Sequence, residues 1–403
     1  MNVQSSTPAV TAQRPYRLSD ALGGETTTPL DHPRVAARTT LHGSRDAAHA
    51  AMLDAIQGAR TAVHAGSYIF KHEGRGAKLL EAMLDRAHDA DPIRIDIIAD
   101  REGSGLFPFT KNRRYFDSMR SDVVRVLRHE ARLNPFRSPI YHPKELGVDL
   151  SHGFVGTMAF DGAEWHDTMA QVRGATVGQL RAEHTASWVS IGGAVGDHQR
   201  ALLAQADALA QHEPPAATGA RILANRPGIG HFGATNEILS RIEGATRRAW
   251  VQTPFLGSDA VADALSAAAR RGVDARVLVT SASGTAIPGF PMMSRTYYRQ
   301  FLQTDAPVDV FEQVGHFSHE KYYLVDDDVV VGSANATKRA LHGDIEFVVS
   351  SNEPAFVDQV EQAWLRDARA GHQVLYGELE SPGARLLSGP AGKVVRAALS
   401  TLA

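Results

Sequence analysis

The chain has 403 residues, of which 43% are hydrophobic and 22% charged, with a formal net charge of −3. This composition is typical of a soluble globular protein, and the length predicts two lobes or domains. The chain has no cysteine, which excludes disulfides, thiolate metal sites and cysteine nucleophiles. Because there is no basic excess, a nucleic-acid backbone is disfavoured as the main partner, although a local basic groove is compatible with this charge.

Residues 1–40 are predicted to form an N-terminal extension. Its first residues are polar and contain no apolar core of the kind a signal peptide needs. No run of about 18 apolar residues, the length that spans a bilayer, occurs in the sequence. We therefore expect a cytoplasmic protein that can also bind peripherally at a membrane surface.

An internal repeat organises the rest of the chain. Met52–Ala59 recurs as Ile238–Ala245, with apolar residues at helical spacing in both. The same order of strand, helix and strand follows each copy: Ala62–Phe70, Ala77–His88 and Ile93–Asp100, then Ala249–Leu256, Ala260–Arg271 and Ala275–Thr280. This alternation predicts an α/β fold of two pseudo-repeated lobes, each a mostly parallel sheet flanked by helices.

Two kinds of loop complete this organisation. Gly103–Phe109 and Ser283–Met293 are rich in Gly, Pro and aromatic residues, and each either packs as a loop or forms a lip that meets an apolar substrate chain. The Pro- and Gly-bearing stretch His212–Gly219 suits neither a helix nor a strand. We place the lobe boundary there, with a first lobe at 41–219 and a second at 220–403.

The same polar motif, HxKxxxxD, occurs once in each half. It begins at His142 and Lys144 in the first half and at His319 and Lys321 in the second. Residues two apart on a strand face the same way, so each half presents an imidazole and an ammonium together. We expect both pairs to meet in one active site at the lobe interface.

A Gly-containing element follows each motif, with Thr157 in the first half and Ser333 and Asn335 in the second. Hydroxyl and amide groups can donate to phosphate oxygens, which predicts a phosphate-binding role for these three residues. Asp149 and Asp326 stand seven residues beyond their histidines. On a continuing strand they would face away from the site, so we expect structural roles for them.

These motifs resemble those of the phospholipase D superfamily, whose signature is HxKxxxxD followed by Gly-Ser or Gly-Gly-x-Asn; the resemblance covers roughly residues 40–370. The sequence departs from that pattern at Ala159, where the family has Asn. Four shorter segments resemble the bacterial cardiolipin synthases and related phosphatidyltransferases: Gly66–Phe70, Ala99–Ser104, Thr253–Phe255 and Ala268–Val273.

The resemblance implies a mechanism without a metal or other cofactor, in which two lysines and neighbouring donors neutralise the phosphate. It further implies that carboxylates orient the imidazoles across the pseudo-dyad, Glu346 on His142 and Asp167 on His319. By the same resemblance His142 is the nucleophile that forms a phospho-histidine, and His319 is the general acid and then the base.

The leading hypothesis is a phospholipid phosphodiesterase or phosphatidyltransferase, whose partner is a phospholipid or other phosphodiester. A nuclease or other soluble phosphodiesterase with the same histidine pair is one alternative. A lipid- or phosphate-binding protein without catalytic activity is the other, supported by Ala159. The sequence leaves the headgroup, the acceptor (water or an alcohol) and the oligomeric state open.

Overall fold

The computed structural model describes residues 31–130, 138–285, 289–381, 385–387 and 389–399. Most of the predicted N-terminal extension, residues 1–30, lies outside the described residues, as do residues 286–288 of the second predicted lip. Strand β1 (Ala37–His42) crosses the predicted end of the extension at residue 40 and belongs to the first sheet.

The first sheet contains β1 and six further strands among the described residues. These are β2 (Ala62–Ser67), β3 (Arg94–Asp100), β4 (Val124–His129), β5 (Lys144–Val148), β6 (His152–Gly156) and β7 (Met169–Gly174). The helices of this half are α1 (Arg45–Gln57), α2 (Gly74–Ala87), α3 (Lys111–Ser118), α4 (Thr176–Ser190) and α5 (Asp197–His212). The Ser44 side chain caps α1 by accepting a hydrogen bond from the Ala47 amide at 3.2 Å, which fixes the start of this helix.

The second half repeats this arrangement. Its strands are β8 (Ala220–Arg226), β9 (His231–Phe232), β10 (Arg248–Thr253), β11 (Leu256–Gly257), β12 (Asp274–Thr280), β13 (Asp309–Gln313), β14 (Tyr322–Val325), β15 (Asp328–Gly332), β16 (Ala336–Thr337), β17 (Glu346–Ser351) and β18 (His372–Gln373). Its helices are α6 (Gly233–Gly244), α7 (Asp259–Arg270), α8 (Gly289–Arg295), α9 (Tyr298–Leu302), α10 (Lys338–His342), α11 (Pro354–Ala370) and α12 (Pro390–Leu399). The predicted lobe boundary near residue 220 coincides with the start of β8.

The two large sheets share one strand order. The first contains β7-β6-β5-β2-β3-β4, and the second contains β17-β15-β14-β10-β12-β13. The α/β class is confirmed, and the matching orders support the predicted repeat. The prediction of mostly parallel sheets was wrong, because the sheets are mixed: β2, β3 and β4 run parallel, whereas β5, β6 and β7 pair antiparallel. The turn between β5 and β6 is too short for the crossover that parallel neighbours require.

A hydrophobic cluster between the two sheets holds the halves together. It combines Tyr141 and Val155 of the first half with Tyr322, Phe347 and Trp364 of the second, all almost fully buried. Tyr141 and Tyr322 lie on the segments that carry the two HxK motifs. The packing between the sheets therefore fixes the position of one motif relative to the other.

Asp149 and Asp326 have the structural roles predicted for them, but each ends its HxK strand in a turn and does not continue the strand. Both have a left-handed backbone, with φ of 51° and 50°. The Asp149 carboxylate accepts hydrogen bonds from the amides of residues 60–62 at 2.8–3.0 Å. Asp326 does the same for residues 246–248 at 2.8–3.1 Å. Each aspartate thus joins its strand to the start of the neighbouring strand and does not take part in the site.

We expect Asp326→Ala to lower the free energy of unfolding by about 1–2 kcal/mol, because it leaves three amides without their acceptor. Burial opposes the charge of Asp326, but the hydrogen bonds lower its pKa overall. This stabilisation is therefore present above about pH 4 and is lost as the pH falls through the lowered pKa. Chemical denaturation measures the change. The neighbouring exposed Asp327→Ala is the matched control and should shift stability by less than about 0.5 kcal/mol.

Candidate active site

Two isolated β-bridges bring each HxK motif against the opposite half. Tyr141 pairs with Ile345, and Ser318 pairs with His166. At each bridge, the next residue along the chain is the motif histidine in one half and the predicted carboxylate residue in the other half. Each bridge therefore places the HxK motif of one half beside the predicted carboxylate of the opposite half.

Each imidazole contacts the carboxylate that the sequence analysis paired with it. His142 Nδ1 lies 2.8 Å from Glu346 Oε1, and His319 Nδ1 lies 2.8 Å from Asp167 Oδ1. Both carboxylates are fully buried, and the two histidines are 9% and 8% exposed. Because Nδ1 is bound in each ring, Nε2 is the nitrogen left to react with a substrate.

The lysines lie on the same strand face as their histidines. Lys144 Nζ donates to the His142 carbonyl at 2.6 Å, and Lys321 Nζ donates to the His319 carbonyl at 2.5 Å. Both ammonium groups are almost fully buried. Burial lowers the pKa of Lys144 to about 8, and burial together with the charge of Lys144 lowers the pKa of Lys321 well below its ordinary value. Two buried cations this close together favour the binding of an anion between them.

Both imidazoles are neutral in the free protein. Burial, with the charges of Lys144 and Lys321 acting in the same direction, lowers the pKa of His142 well below its ordinary value. Burial and Lys321 lower the pKa of His319 to about 3, although Asp167 opposes this shift. A nucleophile and a general acid need opposite protonation states during turnover. In the free site the two halves differ in their carboxylates instead.

The two carboxylates differ in their second partner. Burial raises the pKa of Glu346 to about 7, and its Oε2 accepts a hydrogen bond from the Ser333 hydroxyl. Burial opposes ionisation of Asp167 too, but His319 and the ion pair with Arg45 lower its pKa to about 2. Arg45 is itself buried and also binds Asp161 at 2.8 Å. Asp167 is therefore a permanent anion, whereas Glu346 titrates near neutral pH.

The three predicted phosphate-binding residues lie in different local environments. Thr157 Oγ1 donates to the Thr168 carbonyl at 3.2 Å and accepts from the Thr168 amide at 2.9 Å. Ser333 donates to Glu346 and accepts from the Phe347 amide at 3.0 Å. Contact of these two hydroxyls with a phosphate stays a prediction. Asn335 Oδ1 is buried without a hydrogen-bond partner in the described part of the chain, so this amide can turn its NH2 toward an anion.

Aromatic residues that the motifs did not identify line the two histidines. The Tyr68 ring lies 5.5 Å from that of His142 and 5.8 Å from Lys144 Nζ. The rings of Trp165 and Phe317 lie 5.2 Å and 5.7 Å from that of His319. Trp165 and Phe317 precede the carboxylate and the HxK motif in sequence, so proximity could have indicated them. No sequence signal indicated Arg45, because its contacts with the site span 122 residues.

The first predicted lip contacts this aromatic layer. Ser104 Oγ donates to the Tyr68 carbonyl at 2.9 Å, which attaches the loop to the residue whose ring packs on His142. At its tip Phe109 is 89% exposed, with a φ of 70°, and Phe107 is 37% exposed. Arg114 donates to the Phe109 carbonyl at 3.0 Å and fixes the tip.

The second predicted lip is partly helical. Gly289–Arg295 forms α8, so the expectation of a loop through Met293 was wrong for these residues, which complete a helical turn despite Pro291 near the start. Phe290 of α8 packs on Phe255 with ring centroids 4.5 Å apart, and Phe255 lies 5.8 Å from Phe317 beside His319. Met292 is 42% exposed. An apolar element therefore extends from each histidine to the surface.

Comparisons with known proteins identify relatives of this chain. The family model described as "Cardiolipin synthase, PLD-like domain" matches residues 238–367. Cardiolipin synthase A of Pseudomonas fluorescens SBW25 is 30% identical over 344 residues, covering 82% of this chain and 68% of that protein. Cardiolipin synthase A of Pseudomonas aeruginosa LESB58 is 28% identical, covering 86% and 69%. The chain thus spans about two thirds of the length of these relatives.

Solved structures share the fold at low sequence identity. Phosphatidylserine synthase of Haemophilus influenzae Rd KW20 matches with a TM-score of 0.71 and 12% identity, covering 96% of this chain and all of that one. Polyphosphate kinase of Porphyromonas gingivalis matches with a TM-score of 0.52 and 13% identity, covering 82% of this chain and 50% of that one. Because these proteins act on different phosphate compounds, the fold alone does not decide the substrate.

The fold, the paired HxK motifs and these similarities define an enzyme of the phospholipase D type. Within that superfamily the chain belongs to the cardiolipin synthase-like phosphatidyltransferases, as the sequence resemblance predicted.

We expect kcat/KM to depend on pH through the groups that titrate near neutrality in the free site. It should rise through about pH 7, as Glu346 ionises and makes His142 a stronger base, and fall above about pH 8, as Lys144 loses its proton. Steady-state rates from pH 5 to 9 measure this profile. In Glu346→Gln the rise near pH 7 should disappear, and a rise that persists in this variant would contradict the assignment.

Proposed function

We propose that the chain transfers or hydrolyses phosphatidyl groups of phospholipids through a covalent phospho-histidine intermediate. The observation that carries the proposal is the crossed pairing of His142 with Glu346 and of His319 with Asp167. This pairing presents two Nε2 atoms, with different carboxylate partners, beside two buried ammonium groups. A bound phosphodiester anion would balance the positive charges of the Lys144 and Lys321 ammonium groups.

In the first step His142 Nε2 attacks phosphorus. The P–N bond forms as the P–O bond to the leaving alcohol breaks, and His319 donates its proton to that oxygen. The bound anion counters the charges of the two lysines and so raises the pKa of His319 toward protonation. Asp167 suits the acid role of His319 because a permanent carboxylate stabilises an imidazolium.

In the second step His319, now neutral, takes a proton from the incoming acceptor. The acceptor oxygen attacks phosphorus and the P–N bond to His142 breaks, which restores both imidazoles. Water as acceptor gives phosphatidic acid, and the free hydroxyl of a glycerol headgroup gives a diphosphatidylglycerol. The names of the relatives, cardiolipin synthase A, favour the alcohol.

The exposed apolar elements support a phospholipid as substrate. Phe107, Phe109 and Met292 lie at the surface on the two elements that lead to the histidines. Arg113 and Arg114 on α3 flank the first of them and can attract anionic headgroups. Among the described helices, none has the length and apolarity that crossing a bilayer demands. We propose that these elements hold the enzyme peripherally on the membrane that contains its substrate.

We expect His142→Asn and His319→Asn each to lower turnover of phosphatidylglycerol by about a thousandfold or more, because both rings take part in both steps. His212→Asn, at an exposed position on α5, is the control and should retain full rate. Formation of cardiolipin or phosphatidic acid from radiolabelled lipid measures turnover. Mass spectrometry of protein denatured at alkaline pH, where the P–N bond survives, should find a phosphatidyl adduct on His142 in wild type and none in His142→Asn.

Three outcomes of this experiment would overturn the proposal. Full activity of His142→Asn would exclude this residue as nucleophile. Turnover of single-stranded DNA with none of phosphatidylglycerol would favour the nuclease alternative, and the absence of any adduct or product would favour a binding protein.

We expect Phe107→Ser combined with Phe109→Ser to weaken binding to phosphatidylglycerol vesicles by about tenfold or more, because two apolar side chains no longer leave water. Hydrolysis of a short-chain, water-soluble phosphodiester should stay unchanged, since neither side chain contacts the histidines. Leu209→Ser on α5, also at an exposed apolar residue, is the control. Vesicle sedimentation measures binding, and equal sedimentation of all three proteins would contradict membrane contact through this lip.

A further inference from the structure

A second cluster of ionisable side chains lies behind the HxK strand of the second half. Glu320 stands between His319 and Lys321 in sequence, so strand alternation turns it to the opposite face. There its carboxylate approaches Asp367 of α11 and His166, and the potential ligand atoms of these three residues lie within 4.8 Å of one another. The proposed reaction uses none of the three.

The carboxylates of this cluster are buried with little to neutralise them. Glu320 is fully buried and Asp367 is 3% exposed. Gln252 Nε2 donates to both, at 2.8 Å and 2.9 Å, and Tyr322 Oη donates to Glu320 Oε1 at 2.7 Å. Arg366 lies 3.3 Å from Asp367, but its side chain is 56% exposed, so its charge is largely screened. Two buried carboxylates whose partners are neutral donors and one exposed cation favour uptake of positive charge.

His166 offers a neutral nitrogen to the same point. Its Nδ1 lies 3.8 Å from Glu320 Oε2 and has no hydrogen-bond partner within the described residues. An imidazole binds a metal ion through a ring nitrogen that carries no proton, and this unpaired nitrogen can take that role. The ring of exposed His316 lies 5.5 Å from that of His166 and marks a route from solvent.

We propose that His166, Glu320 and Asp367 bind one divalent cation of the borderline class, such as Zn²⁺ or Mn²⁺. One imidazole and two carboxylates suit this class, whereas Mg²⁺ and Ca²⁺ prefer oxygen ligands alone. A charge of +2 matches the two carboxylates. The 3.8 Å between His166 and Glu320 is already close to the roughly 3.5 Å that separates two ligands of a tetrahedral Zn²⁺.

The position of the cation predicts what it does. His166 belongs to the bridge that places Asp167, Glu320 lies within the HxK motif, and Asp367 lies on α11. One ion would therefore join the opposite half, the motif and the helix behind it. Its role is to hold the cross-lobe contact in place, separate from the reaction at phosphorus.

The test uses the full chain, stripped with a chelator and dialysed, and titrated with MnCl2 or ZnCl2 alone. Calorimetry and the loss of the free Mn²⁺ resonance signal should give one ion per chain and a rise in Tm of several degrees. Asp367→Asn and His166→Gln should each weaken binding by tenfold or more and abolish the rise in Tm. Asp358→Asn, at an exposed position on the same helix, is the matched control and should bind as wild type does.

MgCl2 and CaCl2 should bind at least tenfold more weakly than MnCl2, because imidazole is a poor ligand for both. Circular dichroism of the metal-free proteins checks that each variant is folded. If Asp367→Asn does not fold, His166→Gln, at a partly exposed position, provides the test. Absence of bound ion in wild type, or equal binding by wild type and a folded variant, would overturn the proposal. These readouts need no substrate, so they do not depend on the proposed function.

Discussion

The contact on which this protein depends is the crossed hydrogen bond between an imidazole of one half and a carboxylate of the other. His142 with Glu346 and His319 with Asp167 fix the tautomer and the orientation of both rings, and each contact joins residues more than 150 positions apart. Neither of these two pairs is formed within a single half. The interface between the sheets therefore has to form before the site exists, which explains why its core is apolar and tightly buried.

The repeat gives the two halves the same backbone, but the chemistry depends on where they differ. Two neutral histidines in identical surroundings would be equally suited to the proposed roles of nucleophile and acid. The difference comes from the residues behind the carboxylates. Asp167 binds the buried Arg45 and stays ionised, while Glu346 binds the Ser333 hydroxyl and has a pKa of about 7.

Burial controls the charge of the site. The buried lysines raise the cost of protonating either histidine, so the free site favours an anion more than a proton. The buried charges at Glu320 and Asp367 have the opposite sign, so these two carboxylates favour the binding of a cation. These opposite electrostatic environments lie on the two faces of one strand, because alternate residues of the HxK segment point to opposite sides.

The sequence by itself determined the features that depend on local spacing. The duplicated HxK motif and the alternation of helices and strands are local patterns, and the two-residue period of a strand indicated that Asp149 and Asp326 are structural. The pairing of Glu346 and Asp167 with the histidines was implied by the family resemblance. Only the tertiary structure decided that the sheets are mixed, that α8 replaces part of the second lip, and that Arg45 and the cluster around Glu320 lie beside the motifs. Those features depend on how distant segments pack, and the contact between Arg45 and Asp167 spans 122 residues. No local period encodes such a contact, because it is set by burial at the interface of the two halves.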